Sequence, residues 1–394
     1  MLNYFPSRIK KADVIVGIPS YNEADTIGFV TKQVDLGLRK YFSRSKNVII
    51  NADNNSPDNT KKAFLGTKTT TPKIYISTPP EVRGKGNNLY NFFKKAVKLD
   101  GKIVIIVDAD LKSITPEWIK KLGRPIEKGY DFILPFYNRN EYDGSITNHI
   151  CYPLIYGLLG VNARQPIGGE FAFSRILIDH LLKQNWTKNI KNYGADLLLT
   201  LNAIFGDFKI AQTDLQNKIH KPSTPKLGSM FFQVADTCFR LITRNKKEWL
   251  KNLFVSMPPV LHQFKNHARP QKLSIDYKDL KEKSLYEFSL YYETLQKYLS
   301  ASTYKELERM YFEKKVLNIK PDLWTKILYE AINAYDKTNS KMTIIRALRP
   351  LYFGRTVSFI KETLELTPQE SERKIQQQAE YFYKKRNYLL SKYK

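Results

Sequence analysis

Two aspartates, Asp108 and Asp110, end an apolar run in the segment GKIVIIVDADLKS. Residues 103–107 have the length and the Ile/Val composition of a strand that is buried on both faces. Because side chains two apart on a strand point to the same side, the two carboxylates would be neighbours. Crowded carboxylates repel unless a cation, usually a divalent metal, lies against them. The alternative is an Asx-rich turn after the strand.

The two acids belong to a repeated order of strand, polar loop and helix. Four segments are strand candidates: DVIVGI (13–18), NVIINAD (47–53), KIYIST (73–78) and the run before Asp108. The first helix is predicted to begin near Glu23, capped by Asn22 or Ser20. This order predicts a mainly parallel α/β sheet with ligands at the carboxyl ends of its strands. The loops PSYNE, ADNNSPD and DADLKS would therefore meet at one edge.

The pattern is less regular after Asp110. It predicts a helix at 115–122, a strand at 131–136, a helix at 150–159 and a strand at 170–173. Gly168 and Gly169 allow either a close approach of backbone to ligand or an ordinary turn. Asp196 opens a helix and could serve as its N-cap. His220 lies in a polar Lys- and Pro-rich loop, where a histidine is usually solvated.

From about Ala235 onward strand patterns stop, and long amphipathic helical patterns follow. We therefore expect a catalytic α/β domain at 1–235 and a helical C-terminal region at 236–394. The helical region is predicted to serve oligomerisation or to act as a lid, because apolar stripes need a surface to bury against. The alternative is that it packs on its own domain.

The composition of the 394-residue chain is that of a globular protein, with 42% hydrophobic residues and a formal net charge of +26. Nucleic acid, an anionic membrane surface or small anionic substrates could explain that charge. No nucleic-acid-reading motif accompanies it, so we expect no nucleic acid partner. Two distant cysteines, no signal-peptide core and no apolar stretch of spanning length predict a cytoplasmic protein without a transmembrane segment.

Seven short motifs occur in one order: PSYNEADTI, DNNSPD, RGKGNNL, DADL, QPIGGEFA, YGAD and IHKP. Together they resemble the metal-dependent GT-A glycosyltransferases, and most closely the retaining enzymes that make glucosyl- or mannosylglycerate and their 3-phosphoglycerate forms. The resemblance covers about residues 13–234. It implies a Rossmann-like GT-A domain that binds a nucleotide-diphosphate sugar.

The resemblance also implies roles for individual residues. The nucleotide base and ribose would contact Pro19, Tyr21, Glu23, Asp53 and Asn54. Lys85, between two glycines, would contact the diphosphate, for which an ammonium is apt.

The D-x-D motif, Asp108-Ala109-Asp110, would bind the donor and the metal. Asp110 is implied as the more direct ligand of Mg²⁺ or Mn²⁺, His220 as the second protein ligand, and Asp108 as lying near the ribose. A mixed His and carboxylate set suits Mn²⁺ at least as well as Mg²⁺.

The sugar and acceptor pocket would be lined by Gly168, Gly169 and Glu170, with Asp196 near the sugar hydroxyls. The implied reaction moves a hexose, with glucose favoured and mannose possible, from a UDP-, GDP- or ADP-sugar with retention of configuration. The acceptor would be D-glycerate, 3-phosphoglycerate or glucosylglycerate, and the product a compatible solute or its precursor. Lys85, Glu170 and Asp196 are the implied catalytic residues.

The sequence departs from the family at two positions of the acceptor site. Leu134 and Ser145 stand where relatives carry basic residues, so the expected binding site for the acceptor anion has less positive charge. Four other cations could substitute: Arg139, Arg164, Lys221 and Lys226. Loss of the arginine at Ser145 favours unphosphorylated glycerate.

Two other functions remain open. An inverting, family-2-like transferase acting on a polyprenyl phosphate or a polysaccharide at the membrane surface shares PSYNE and DAD, and a basic helical region could lie on anionic lipid. A non-enzymatic basic binding protein could also use this scaffold. The QPIGGE and IHKP segments disfavour the first, and the set of candidate donor- and metal-binding residues disfavours the second.

Overall fold

The computed structural model describes residues 9–221, 227–251, 254–263, 270, 273 and 276–393, and the backbone of residues 3 and 4; at position 227 the side chain is not described. Within these residues no helix combines the length and the apolar composition needed to cross a membrane.

The strands carry the site residues at their ends. In chain order they are β1 (Asn3–Tyr4), β2 (Val14–Ser20), β3 (Asn47–Asp53), β4 (Lys73–Ser77), β5 (Ile103–Ile106), β6 (Phe132–Asn138), β7 (Phe171–Ser174), β8 (Ile210–Asn217) and β9 (Val260–Leu261). In the described part of the chain they form one sheet in the order β1-β4-β3-β2-β5-β7-β6-β8-β9. The predicted parallel arrangement of β2 to β5 is confirmed. β7 lies antiparallel between β5 and β6, which makes the sheet mixed.

Helices alternate with the strands from β2 to β8, and the rest of the described chain is mainly helical. They are α1 (Ile27–Tyr41), α2 (Thr60–Gly66), α3 (Lys85–Lys98), α4 (Pro116–Glu127), α5 (Tyr152–Leu159), α6 (Arg175–Leu182), α7 (Ala195–Phe205), α8 (Leu227–Arg244), α9 (Lys246–Leu250), α10 (Tyr277–Tyr298), α11 (Ala301–Glu308), α12 (Pro321–Lys337), α13 (Lys341–Thr363), α14 (Pro368–Lys384) and α15 (Arg386–Leu390). Within the described residues, π-helical segments occur at Thr147–Cys151 and Arg309–Lys314.

One apolar cluster fixes the carboxyl ends of the central strands. Val34 of α1, Ile105 of β5 and Ile119 of α4 belong to it, and each is fully buried. Since β2 and β5 are apolar on both faces, helices must cover both, and this is the reason for their continuous Val and Ile runs. The polar residues that follow these strands are thereby held at the edge of a rigid sheet.

Two sequence predictions about element boundaries are wrong. The first helix begins at Ile27 and its N-cap position is Thr26, because Asn22 adopts a left-handed φ of 59° and the loop before α1 is bonded elsewhere. Strands do not stop at Ala235, because β9 pairs with β8 in parallel. A strand of two residues is too short to give a recognisable sequence pattern, so β9 was not predicted.

The chain falls into two compact units that each combine several segments. The first comprises residues 1–139, 165–226 and 258–271; the second comprises 140–164, 227–257 and 272–394. The sheet lies in the first unit, and α5 and α8 to α15 lie in the second. Residues 140–164, which the sequence assigned to the catalytic domain, therefore group with the helices. The division at 235/236 stays a prediction.

Candidate active site

The loops after β2 and β3 are locked together. Ser56 Oγ accepts a hydrogen bond from Asn22 N (2.9 Å), Thr60 Oγ1 accepts one from Glu23 N (2.9 Å), and Asp58 Oδ2 accepts one from Ala24 N (3.1 Å). The polar DNNSPDNT turn thus holds the PSYNEA loop in place. This explains why α1 begins at Ile27 rather than near Glu23. The predicted meeting of these loops at one sheet edge is confirmed.

Asp53 is a buried residue whose carboxylate is satisfied by the protein. Its Oδ1 accepts from Ser20 Oγ (2.7 Å) and Ser56 Oγ (2.6 Å), and its Oδ2 accepts from Ser56 N (2.7 Å) and Tyr75 OH (2.9 Å). Four donors fill the acceptor capacity of a carboxylate. The Asp53 carboxylate therefore stabilises the turn after β3. Asn54 beside it is also buried. Their contact with a nucleotide stays a prediction.

The other residues of the predicted nucleotide pocket surround the same loop. Pro19 is buried in β2, and the half-buried ring of Tyr21 lies 4.9 Å from the guanidinium of Arg83. Glu23 Oε2 accepts a hydrogen bond from Lys221 Nζ at 2.7 Å. Burial raises the pKa of Glu23, and the charge of nearby Asp110 raises it further.

The loop that carries His220 runs along the loop that carries Asp110. Lys112 N donates to Ile219 O (2.8 Å), and Ile219 N donates to Ser113 Oγ (2.9 Å). Asp110 and His220 are both half-buried and stand at adjoining positions of these two bonded segments. The structure thus brings the two predicted metal ligands into one region.

Asp108 is held between two ammonium groups. Lys85 Nζ lies 2.9 Å from its Oδ1, and Lys218 Nζ lies 3.1 Å from its Oδ2. Burial works against ionisation of Asp108, yet the two ammonium groups outweigh it and hold the pKa of this carboxyl below its usual value. Ala109, the next residue, is buried. The role of Asp108 as a metal ligand stays a prediction, and both of its oxygens already have cationic partners.

Glu170 is buried and bonded to protein groups. It is fully buried, bonds Lys218 Nζ through Oε2 at 2.8 Å, and accepts a hydrogen bond from the hydroxyl of Tyr137. Burial raises its pKa to about 7. Because all these partners are protein groups, Glu170 holds Lys218 and Tyr137 in place, and its contact with a substrate stays a prediction.

Lys218 was not identified from the sequence. It directly follows β8, whose segment IAQTDLQN contains buried polar residues and does not alternate as a strand usually does. If that strand had been recognised, Lys218 and His220 would have been expected at its carboxyl end, with the other site residues.

Gly84 and Gly86 allow the backbone to pack closely around Lys85. A Cβ at Gly84 would lie 2.3 Å from Lys191 O, and one at Gly86 would lie 2.1 Å from Ile190 O. The loop 190–192 therefore passes directly against the start of α3 and leads into α7, which carries Asp196. The glycines serve this close approach rather than flexibility.

Asp196 meets Lys85 at the centre of the site. Its Oδ2 lies 3.2 Å from Lys85 Nζ, while its Oδ1 is buried and has no hydrogen-bond partner among the described residues. Burial raises the pKa of Asp196. The N-cap alternative is wrong, because Gly194 occupies the N-cap position of α7 and no side chain caps the helix.

The Gly168-Gly169 pair packs against Asp108 and Lys218. Gly169 has a φ of +98°, and a Cβ there would lie 2.4 Å from Asp108 Oδ2. Gly168 O accepts a hydrogen bond from Lys218 Nζ at 2.8 Å. The missing side chain of Gly169 leaves the space that Asp108 and Lys218 occupy, and contact of the pair with a ligand stays a prediction.

Two of the four cations named as substitutes at the acceptor site form ion pairs with other protein groups. Arg164 forms two hydrogen bonds with Glu372, at 2.7 and 2.8 Å, and Lys221 bonds both Glu23 and Asp25 at 2.7 Å. Burial raises the pKa of Tyr137 well above its usual value, and the positive charge of Arg139 opposes this rise, so Arg139 lies near Tyr137. Lys226 lies outside the described residues.

The two departures from the family are also part of the fold. Leu134 is fully buried in β6, and Ser145 Oγ lies 2.5 Å from the hydroxyl of Tyr352. Neither position supplies a cation.

The donor set fits a divalent cation that a substrate helps to hold. No group of three His, Cys, Asp or Glu side chains with metal-binding geometry occurs among the described residues. Mg²⁺ and similar cations are commonly bound by one or two protein ligands together with substrate phosphates. Asp110 and His220 supply two such ligands of suitable chemistry, so the site fits a metal ion completed by a diphosphate.

The fold and the site define a class: the chain is a glycosyltransferase with the GT-A fold. Residues 15–183 match the model of Glycosyl transferase family 2. A curated relative, the glucosyl-3-phosphoglycerate synthase of Petrotoga mobilis, is 28% identical over 266 residues, which are 60% of this chain and 76% of that protein.

Solved structures of a related enzyme are also similar. Glucosyl-3-phosphoglycerate synthase from Mycobacterium tuberculosis, in complex with Mn²⁺, UDP and phosphoglyceric acid, is 25% identical, with a TM-score of 0.48, over 58% of this chain and 78% of that one. Its complex with Mg²⁺ and UDP is 25% identical, with a TM-score of 0.47, over 58% and 79% of the two chains.

Proposed function

We propose that this chain is a metal-dependent, retaining hexosyltransferase that moves glucose from a nucleotide-diphosphate sugar to D-glycerate or its 3-phosphate. The observation that carries the proposal is the contact of Lys85 with Asp108 and Asp196 at the edge where the loops after β2, β3 and β5 meet. The name of the curated relative supports glucose and the phosphorylated acceptor. The absence of a basic residue at Leu134 and Ser145 supports the unphosphorylated one.

Lys85 is suited to stabilise the leaving diphosphate. An ammonium has three N–H groups, and those of Lys85 contact two carboxylates, so one remains for a phosphate oxygen. Burial opposes its charge, but Asp108 and Asp196 raise its pKa, which keeps it protonated. A positive group fixed where negative charge develops in the transition state lowers the barrier.

Asp196 is suited to orient the sugar. Its unpaired Oδ1 is a buried acceptor, and a buried acceptor without a donor is unfavourable. A hydroxyl of the bound hexose would supply that donor and fix the anomeric carbon near Lys85. A divalent cation held by Asp110 and His220 would supply Lewis-acid stabilisation of the diphosphate. We assign no side chain as a general base, because the leaving phosphate can take the proton of the acceptor hydroxyl.

An activity matrix tests this proposal. The purified chain with Mn²⁺ is supplied with UDP-glucose, GDP-glucose, ADP-glucose or GDP-mannose, crossed with D-glycerate, 3-phosphoglycerate and glucosylglycerate. We expect one active pair, an α-linked product by NMR, and loss of product in both Asp110→Ala and His220→Ala. Failure of every pair while nucleotide sugar still binds with metal would remove the proposed acceptor and keep the donor site.

A membrane-surface transferase is the second candidate, because the matching family model is Glycosyl transferase family 2 and the chain carries a net charge of +26. Co-sedimentation with anionic liposomes, followed by assay with polyprenyl phosphate, tests it. A product of inverted configuration would favour this candidate over the first.

Oligomerisation and a cytoplasmic location also stay proposals. Tyr286 and Leu290 lie one turn apart on α10 and are 66% and 57% exposed, which supports an association surface on the helical region. Sedimentation velocity of the purified chain tests the association, and a monomer would contradict it.

Cys151 and Cys238 are both unpaired, as expected in a reducing compartment.

A further inference from the structure

Lys218 is the more deeply buried of the two cations that contact Asp108. Its side chain is 5% exposed, against 19% for Lys85. Its Nζ lies within hydrogen-bond distance of four oxygens: Asp108 Oδ2 (3.1 Å), Gly168 O (2.8 Å) and Glu170 Oε1 and Oε2 (3.1 and 2.8 Å). Three N–H groups are thus shared among four acceptors, and none remains for a substrate.

The position of Lys218 resembles that of a bound cation. It neutralises two carboxylates and also binds a main-chain carbonyl, which are the oxygen ligands that a hard divalent ion would use. Gly169 has no Cβ at the point where one would meet both Asp108 Oδ2 and Lys218 Nζ, at 2.4 and 2.9 Å. The backbone is therefore shaped around this contact.

A metal ion at Asp108 would have to compete with two ammonium groups. Like charges a few ångströms apart repel strongly in a partly buried site, so both would have to move before Asp108 could ligate the ion. Asp110 differs, because it forms no ion pair with any residue in the part of the chain that the structure describes.

We propose that Lys218 is a positioning residue that substitutes for a metal ion at Asp108 and thereby confines the divalent cation to Asp110 and His220. Without nucleotide these two ligands hold the ion weakly, and the diphosphate supplies the missing oxygens. Metal binding then depends on the donor. This inference rests on the proposed function for the identity of the donor, but its test needs neither acceptor nor turnover.

The test measures Mn²⁺ binding to the full-length protein without nucleotide, by the EPR signal of free Mn²⁺. Replacing Lys218 by Met keeps the length of the side chain and removes its charge. We expect Lys218→Met to bind Mn²⁺ about tenfold more tightly than the wild type, because Asp108 gains a free oxygen and loses a repelling neighbour. Adding Asp108→Asn should abolish the gain. Lys209→Met, on an exposed residue directly before β8, is the control and should bind as the wild type does.

The charge left on buried Glu170 could unfold the single variant, so a second variant accompanies it. Lys218→Met/Glu170→Gln removes one positive and one negative charge and leaves an acceptor for the Tyr137 hydroxyl. The same gain in Mn²⁺ affinity is expected. Unchanged or weaker Mn²⁺ binding in the folded double variant overturns the proposal.

The wild type provides an independent measurement. We expect UDP to tighten Mn²⁺ binding at least about tenfold, since the diphosphate completes the coordination of the ion. Equal Mn²⁺ affinity with and without UDP overturns the inference. If no sugar is transferred in any assay but Lys218→Met gains affinity, the inference stands and the proposed function falls. If sugar is transferred but Lys218→Met gains no Mn²⁺ affinity, the proposed function stands and the inference falls.

Discussion

The ammonium of Lys85 lies 3.2 Å from Oδ2 of Asp196, although 111 residues separate the two in the chain. The contact joins the first residue of α3 to the first turn of α7. It depends on the absence of side chains at Gly84 and Gly86, which lets the loop before α7 lie against α3. The position of the candidate catalytic carboxylate is therefore determined by backbone packing as well as by charge.

Asp196→Asn should lower kcat about a hundredfold, because the unpaired carboxylate oxygen no longer offers a full negative charge to the sugar hydroxyl. The substitution keeps the size of the side chain. Binding of UDP, measured by calorimetry with Mn²⁺, should change less than kcat, because Lys85 keeps its contact with Asp108. Asp179→Asn, on the partly exposed surface of α6, is the control and should keep wild-type kcat. Equal activity of both variants would show that Asp196 has no role in turnover.

Gly169→Ala should abolish activity and destabilise the protein. The backbone at +98° is strained for any L-residue with a side chain, and the added methyl group would clash with Asp108 Oδ2. Gly129→Ala is a matched control, because its φ is +87° but a Cβ there meets nothing within 4 Å. We expect Gly129→Ala to cost about 1 to 2 kcal/mol of unfolding free energy by urea titration and to keep full activity.

The contrast between the two variants identifies the cause. Loss of activity in both would indicate that backbone strain alone is responsible. Full activity in Gly169→Ala would contradict the close contact with Asp108.

Lys221→Gln should raise the Mn²⁺ concentration needed for half-maximal activity severalfold and leave kcat nearly unchanged. Lys221 bonds Glu23 and Asp25 and so ties the loop carrying His220 to the loop after β2. The effect is moderate because the side chain is 34% exposed and solvent screens the ion pairs. Lys32→Gln, on an exposed position of α1, is the control. A lower kcat at saturating Mn²⁺ would instead indicate that Lys221 contacts substrate.

The sheet edge could be predicted from the sequence because its strands are continuous apolar runs. NVIINAD was predicted as a strand at 47–53, and the structure has β3 at Asn47–Asp53. β8 could not be predicted in the same way, since Gln212, Thr213 and Asp214 are buried polar residues and resemble a loop. Lys218 was missed with it.

The individual roles of site residues were harder to predict than the site itself. Sequence order shows that Asp53 and Glu170 lie near strand ends, but it does not show that protein donors already satisfy their carboxylates. Those donors come from residues as many as 62 positions away, and their approach is set by tertiary packing. The same packing gives Gly84 and Gly86 a role in close contact rather than in flexibility.

The free energy of unfolding should fall as the pH drops below about 6.5, in part because of His149 in the helical unit. Burial lowers the pKa of His149 well below its usual value, and the charges of Arg355 and Arg164 lower it further, while Gln378 Nε2 donates to its Nδ1 at 3.3 Å. The folded protein therefore keeps His149 neutral while the unfolded chain binds a proton. Stability is lost by as much as about 1.4 kcal/mol per pH unit below the unfolded pKa. His149→Gln removes this titration, so urea unfolding between pH 5 and 6.5 should show a shallower pH dependence than in the wild type. Equal slopes in the two proteins would contradict the neutral state of buried His149.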